Sequence, residues 1–249
     1  VIRVAAVGDV HLAPDVAGRH RAGLEGVAEH ADVLLLAGDL TRHGTPEEAV
    51  VVASEYADLG LPVVAVLGDH DYHSGAEAKV ADLLVEAGVT VLEGEGLVLD
   101  LPAGRLGIGG VKGFGLGFAG RCGSDFGEPE MRAFSRHGRE GAEQLARALR
   151  CLDDLDDAVD VKVALTHYAP VDETLLGEPS EIWPFLGNYL LGEAIDAGGC
   201  DLAVHGHAHA GREKGMTLGG VRVRNVAQPV IRAAYAVYEV SSTRVLVGR

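Results

Sequence analysis

Val64-Ala-Val-Leu-Gly-Asp-His-Asp71 is the stretch on which the reading of this chain turns. An apolar run over residues 63–67 stops at Gly68 and releases Asp69, His70 and Asp71 in succession. Three titratable side chains at the end of a buried strand are costly to desolvate unless something pairs with them, and a metal ion offsets that cost well. An apolar strand followed by a polar loop recurs four more times: Val4-Ala-Ala-Val-Gly-Asp9-Val-His11, Val33-Leu-Leu-Leu-Ala-Gly-Asp39, Val161-Lys-Val-Ala-Leu-Thr-His167 and Leu202-Ala-Val-His-Gly-His207-Ala-His209. Five strand ends that present Asp or His organise the sequence.

Outward from these ends, the spacing predicts helices over residues 19–29 and 45–59. Thr45-Pro46-Glu47-Glu48 reads as an N-cap, a proline at the first helical position and an acidic first turn. Two successive β-α-β units imply a parallel sheet with right-handed crossovers. Ligands of such sheets gather at the carboxyl ends of the strands, where all of these Asp and His residues fall. Further helices are expected over residues 76–87, 132–153 and 190–197, with short strands over 89–92, 97–101 and 106–111. A C-terminal meander is expected over 217–218, 221–225 and 234–240. Residues 107–127 are glycine-rich and the least regular part of the chain; they lack G-x-x-x-x-G-K-[ST], so a nucleotide-binding P-loop is not supported. They read either as a surface loop or as a lid that sets Lys112, Phe114 and Phe118 against a substrate. Nothing marks a linker, and residues 1–249 read as one domain.

The bulk properties exclude several classes. A chain of 249 residues with 47% hydrophobic and 23% charged residues can build a substantial core and is not compositionally disordered. Its net charge of -16, from 37 acidic against 21 basic residues, repels polyanions and makes nucleic acid a poor partner. Cys122, Cys151 and Cys200 are odd in number and lack C-x-x-C spacing, which suits a reducing compartment. No apolar run approaches the roughly 20 residues that span a bilayer, so no membrane association is expected. Without signal-peptide features ahead of the first strand, a cytoplasmic location is the expectation.

The candidate ligands are Asp9, His11, Asp39, Asp69, His167, His207 and His209. Three carboxylates and four imidazoles are too many for one four-coordinate ion and suit two ions sharing a bridging carboxylate. Oxygen and nitrogen donors without thiolate suit Mn, Fe, Zn or Co. Any one of these residues alone would ordinarily be a cap or a hydrogen-bonded core group. Recurrence at five strand ends is what argues for metal.

In order and spacing, Asp9-x-His11, Gly38-Asp39, Gly68-Asp69-His70-Asp71, His167 and Gly206-His207-x-His209 resemble the signature of the calcineurin-like metallophosphoesterases. The resemblance runs from Asp9 to beyond His209, nearly the whole chain. It implies an α/β fold, a four-layer αββα sandwich of two mixed β-sheets flanked by helices. It also implies two divalent or trivalent ions, one on Asp9, His11, Asp39 and His209, the other on Asp39, Asp69, His167 and His207, with Asp39 bridging. His70 would be the catalytic proton donor and Asp71 would hold its ring. The implied reaction is hydrolysis of a small phosphoester by a metal-bridging water or hydroxide, the two ions standing about 3.5–4 Å apart. Residues 38–48 resemble most the bacterial cyclic-nucleotide-phosphodiesterase-like branch.

One position departs from that pattern: the family carries Asn where this chain has Asp69. An ionised Asp only accepts hydrogen bonds, whereas an Asn amide ligates through oxygen and donates through nitrogen. The expectation is a filled metal site with a lower turnover than an Asp69→Asn variant.

A phosphodiester is the preferred substrate. A phosphomonoesterase or protein phosphatase is the nearest rival, and a metal-bearing but catalytically weakened binding module is the rival from another class. Intact His70 and Asp71 argue against the module, and an H-x-H late in the chain argues against a metal amidohydrolase. His205 reads as structural, His43 and His73 as candidate pocket residues, and His20, His30 and His137 as surface groups. The run Asp153-Asp154-Leu-Asp156-Asp157 reads as a solvated turn.

Overall fold

Alternation along the strands builds the layers. In the first strand, Val4 and Ala6 enter a cluster with Val163, Leu165 and Val204, while Ala5 and Val7 on the opposite face pack with Val52, Tyr56, Val80 and Leu84. A strand apolar on both faces is buried on both, with a second sheet on one side and helices on the other.

The computed structural model describes residues 1–154 and 158–242, so the acidic run over 153–157 lies partly outside the described residues. The strands among them are β1 (Ile2–Val7), β2 (Val33–Ala37), β3 (Val63–Val66), β4 (Val89–Val91), β5 (Glu95–Leu101), β6 (Gly104–Val111), β7 (Gly117–Phe118) and β8 (Arg121–Cys122). They continue as β9 (Val161–Thr166), β10 (Leu202–His205), β11 (Lys214–Met216), β12 (Arg222–Asn225) and β13 (Ala236–Val240). One sheet has the order β13-β1-β2-β3-β4 and the other β11-β12-β10-β9-β6-β5. Both are mixed: β1 to β4 are parallel with β13 antiparallel on the edge, and β12, β10, β9 and β6 are parallel between antiparallel β11 and β5. The helices Pro46–Tyr56 and Glu77–Glu86 cover the first sheet, and Pro129–Cys151 and Tyr189–Ala197 cover the second. This is the expected four-layer sandwich.

Thr45 caps its helix as the sequence predicts: its hydroxyl accepts from Glu48 N, and the Glu48 carboxylate accepts from Thr45 N, both at 3.3 Å. The helix expected over 19–29 is instead two four-residue turns, Arg21–Leu24 and Val27–His30, split at Gly26, whose φ of 74° is left-handed. His20, expected at the surface, is buried at the start of the first of these turns. The strand expected over 106–111 forms as part of β6, paired between β5 and β9, so the glycine-rich segment is regular at its start. Lys162 lies wholly buried in β9 on the helix side, and its ammonium donates to Asp153 Oδ1 at 2.6 Å and Gly198 O at 2.8 Å. A cation there suits the carbonyl-rich C-terminal ends of the two helices that converge on it. No disulfide joins the three cysteines among the described residues.

Candidate metal centre

The loops after β1, β2, β3, β9 and β10 converge along one edge of the sandwich. Two groups of donors form there: Asp9, His11, Asp39 and His209, and Asp39, Asp69, His167 and His207. Within each group, one ligand atom per residue lies within 4.8 Å of every other, and Asp39 belongs to both. All seven residues expected as ligands are thus brought together.

Backbone strain marks the same place. Among the described residues, six that are not glycine have positive φ, and four of these are Asp9 (57°), His11 (44°), Asp39 (51°) and His207 (70°). Such conformations cost of order 1–3 kcal/mol each and persist where surrounding contacts over-determine them. Gly68 and Gly206 are required by close approach: a Cβ on Gly68 would strike the Asp39 carboxylate, and one on Gly206 would strike that of Asp9.

The contacts cross from one sheet to the other. His209 Nε2 is 2.8 Å from Asp9 Oδ1, and Asp69 Oδ1 is 3.0 Å from both His167 Nε2 and His207 Nδ1. His167 Nε2 is also 3.3 Å from Asp39 Oδ1. The His207 backbone N–H donates to both oxygens of Asp9, at 3.0 and 2.9 Å. His167 Nδ1 donates to Ala37 O at 2.8 Å, which leaves Nε2 as the atom presented to the centre.

The donor set fits cations. Asp9 and Asp39 are 3% and 1% exposed, and the side-chain partners of the three carboxylates are histidines, not Lys or Arg. Burial pushes the Asp39 carboxyl up to about 6, with Asp9, Asp69 and Asp71 adding to the rise against the pull of His167. Burial opposes the ionisation of Asp69 as well, but its hydrogen bonds with His167 and His207 hold it far below the usual range. Burial pushes His11 down to about 4, so its ring is a neutral donor. A bound cation supplies the charge that this arrangement lacks.

His70 and Asp71 behave differently from the expectation. Both Asp71 oxygens are filled: Oδ1 accepts from Thr41 N at 2.8 Å and Thr41 Oγ1 at 2.6 Å, and Oδ2 from Leu40 N at 3.2 Å and Gly68 N at 2.8 Å. Four donors saturate a carboxylate, so Asp71 does not hold the His70 ring. It ties the loop after β2 to the loop after β3. The His70 ring is held by Arg42 O, which accepts from Nδ1 at 2.7 Å, and its Nε2 points toward Asp39 Oδ2 at 3.9 Å.

Of the expected lid, Lys112 and Phe114 line a cavity beside Asp69, while Phe118 is buried against Trp183 and faces away from it. His205 is structural as read: its Nδ1 donates to Gly206 O at 2.7 Å, Nε2 meets Thr174 Oγ1 at 2.8 Å, and burial pushes it down to about 4. Tyr72, Glu93, Glu140 and Tyr168, which also line the cavity, were not legible beforehand. Tyr72, next to Asp71, and Tyr168, next to His167, carried a positional hint.

Two mixed sheets between helices, with Asp and His gathered on one edge, define a metallophosphoesterase-type sandwich. The chain belongs to the calcineurin-like phosphoesterase family, which matches residues 2–211. Its fold is similar to that of a phosphopantetheinyl hydrolase, PptH, from Mycobacterium tuberculosis: TM-score 0.63, 16% identity, 94% of this chain and 95% of that one. TT1561 from Thermus thermophilus is similar at TM-score 0.58 and 16% identity, over 90% of this chain and 88% of that one. A candidate 5'-nucleotidase from Staphylococcus aureus is similar at TM-score 0.56 and 14% identity, over 96% of this chain and 53% of that one. At such identities the likeness is one of fold. No curated protein sequence matches the chain. Among the described residues, no helix is long and apolar enough to cross a membrane.

Proposed function

We propose that this protein hydrolyses small phosphoesters, phosphodiesters by preference, at a centre that holds two metal ions, in the cytoplasm. The observation that carries this reading is the pair of four-residue donor groups that share Asp39. Ions bound there supply Lewis acidity toward phosphoryl oxygens and an activated water at neutral pH. Manganese suits the oxygen and nitrogen donors. The names of two fold neighbours, a phosphopantetheinyl hydrolase and a candidate 5'-nucleotidase, agree with a phosphoester substrate.

The chain's own residues have distinct tasks. Asp39 is the shared oxygen donor, and Ala37 O fixes which nitrogen of His167 faces the centre. With Nδ1 committed to Arg42 O and its side chain 44% exposed, His70 can carry a proton on Nε2 and hand it to the departing oxygen. A module that only bound metal would have no use for an imidazole aimed in this way beside the donors.

Hydrolysis of bis(p-nitrophenyl) phosphate and p-nitrophenyl phosphate with added manganese tests the reading. Turnover abolished by EDTA, restored by manganese and faster on the diester is the expected result. No turnover of either ester with two equivalents of metal bound would leave the binding module as the correct reading.

A further inference from the structure

Beside the centre lies a cavity of about 380 Å³, walled by Asp69, Tyr72, Glu93, Lys112, Phe114 and Glu140 among others. That volume falls within the span of about 300–1,000 Å³ usual for small-molecule sites. His70 is not among its walls, so the cavity opens on the Asp69 side of the centre, away from the leaving-group proton donor.

Lys112 is the unusual wall residue. It sits just past the end of β6, and its carbonyl accepts from His167 N at 3.0 Å, which anchors it to a loop of the centre. Its half-buried ammonium stands over the rings of Tyr72, Phe114 and Tyr168, with Nζ 4.9, 5.4 and 5.3 Å from their centroids. It donates to Gly113 O at 3.1 Å and meets no carboxylate at ion-pair distance among the described residues. An ammonium has three donors, so this one keeps two in reserve beside a site that handles anions. Burial lowers its pKa, with Glu93, Asp69 and Asp39 opposing the shift.

The remaining walls state what else fits. Glu93 is engaged, accepting from the Tyr72 hydroxyl at 2.6 Å and Leu67 N at 3.3 Å. Glu140 is exposed, on the helix Pro129–Cys151, and stands at the opening. The carboxylates of Asp69, Glu93 and Glu140 repel an anionic substituent, whereas the rings of Phe114 and Tyr72 accept an apolar or planar one.

We propose that this cavity seats the ester arm that stays on phosphorus, a neutral ring-bearing group, and that Lys112 receives the anionic phosphoryl group at its edge. The substrate class is then a phosphodiester with a neutral planar arm, not a polyanion. This inference rests on the phosphoesterase reading of the centre.

Two variants test its two parts, with both nitrophenyl esters and inorganic phosphate as probes in the manganese-loaded protein. Glu140→Trp narrows the opening; kcat/KM should fall about tenfold on bis(p-nitrophenyl) phosphate and at most about twofold on p-nitrophenyl phosphate, which has no retained arm. Lys112→Met should raise KM about tenfold or more on both esters and weaken inorganic phosphate binding by calorimetry to the same degree, with metal content kept. Lys112→Arg should restore part of that affinity, which a packing role would not require. Equal losses on both esters from Glu140→Trp would overturn the arm pocket. Undiminished phosphate affinity in Lys112→Met would overturn the anion contact. A wild-type protein inert on both esters overturns the phosphoesterase reading and the cavity with it, whereas an active wild type with indifferent variants overturns the cavity alone.

Discussion

The two sheets contribute unlike halves of one centre. The loops after β1, β2 and β3 bring all three carboxylates, Asp9, Asp39 and Asp69, together with His11; the loops after β9 and β10 bring only imidazoles, His167, His207 and His209. The short side-chain contacts between Asp and His, 2.8–3.3 Å, cross between these halves. Strain is also unequal: Asp9, His11 and Asp39 on the first sheet have left-handed backbones, against His207 alone on the second. Each donor group draws residues from both halves, so docking of the sheets assembles the centre. The anionic half lacks a compensating cation of its own, so ions bound there should stabilise the fold as well as the chemistry.

Asp39→Ala strikes this arrangement hardest, because Asp39 alone belongs to both donor groups. Metal analysis should find both equivalents lost, and kcat/KM should fall at least about 10³-fold, since removal of a single preorganised electrostatic partner already costs about 10²–10³. His209→Ala, which touches one group, should lose one equivalent. A full second equivalent retained in Asp39→Ala would mean that the two groups fill independently.

Metal removal tests the claim about folding. Each ion at 1,000 times its Kd stabilises by about 4 kcal/mol, which for a chain of this length corresponds to a Tm shift of about 8–16 °C for each ion bound. EDTA-treated protein should therefore melt lower by that amount and recover with manganese. A melting temperature indifferent to manganese would show that the halves dock without help from ions.

His70 and Asp71 adjoin in sequence yet divide by role, one reaching into the centre and the other binding two loops of the same sheet together. His70→Ala should lower kcat about 10²-fold with both metal equivalents kept. Asp71→Asn should instead destabilise the protein by about 1–3 kcal/mol in denaturant unfolding, because an amide NH2 would face N–H donors from Leu40, Thr41 or Gly68. A rate loss in Asp71→Asn without any loss of stability would return Asp71 to the catalytic group.

What was legible follows from the period of the signal. Apolar strands ending in Gly-Asp, Gly-His or Thr-His announce both the parallel sheets and the donors, since side chains and strand ends share one pattern. Thr45 and Glu48 were legible because a capping box is local in sequence. The break at Gly26 was not, because a single glycine is tolerated inside helical patterns and tertiary packing decides. The strand over 106–111 was legible despite its glycines, because Leu106, Ile108 and Val111 keep an apolar run that pairs on both sides. The Asp71–His70 contact that the resemblance implied does not form, because Asp71 is taken up by Gly68 and by Leu40 and Thr41 some thirty residues earlier. Lys162 gave no sign, since its three-way tie depends on where two helices end.

Position 69 offers the finest test of the two halves, because it alters charge while keeping shape. Asp69 is the carboxylate shared by His167 and His207, its side chain is 40% exposed, and it forms a wall of the cavity that holds Lys112. Asp69→Asn keeps an oxygen for the ion, adds an N–H donor toward the phosphoryl group and removes a negative charge from the path of an anion. The same change weakens the hold on the ion and leaves that ion the stronger Lewis acid. The expected outcome is a kcat on bis(p-nitrophenyl) phosphate raised about threefold to tenfold, with one metal equivalent bound about tenfold more weakly. Unchanged rate together with unchanged metal affinity would mean that the histidines of the second sheet and Lys112 already balance the charge at 69 before substrate arrives, and that the asymmetry between the halves is neutralised in the resting protein.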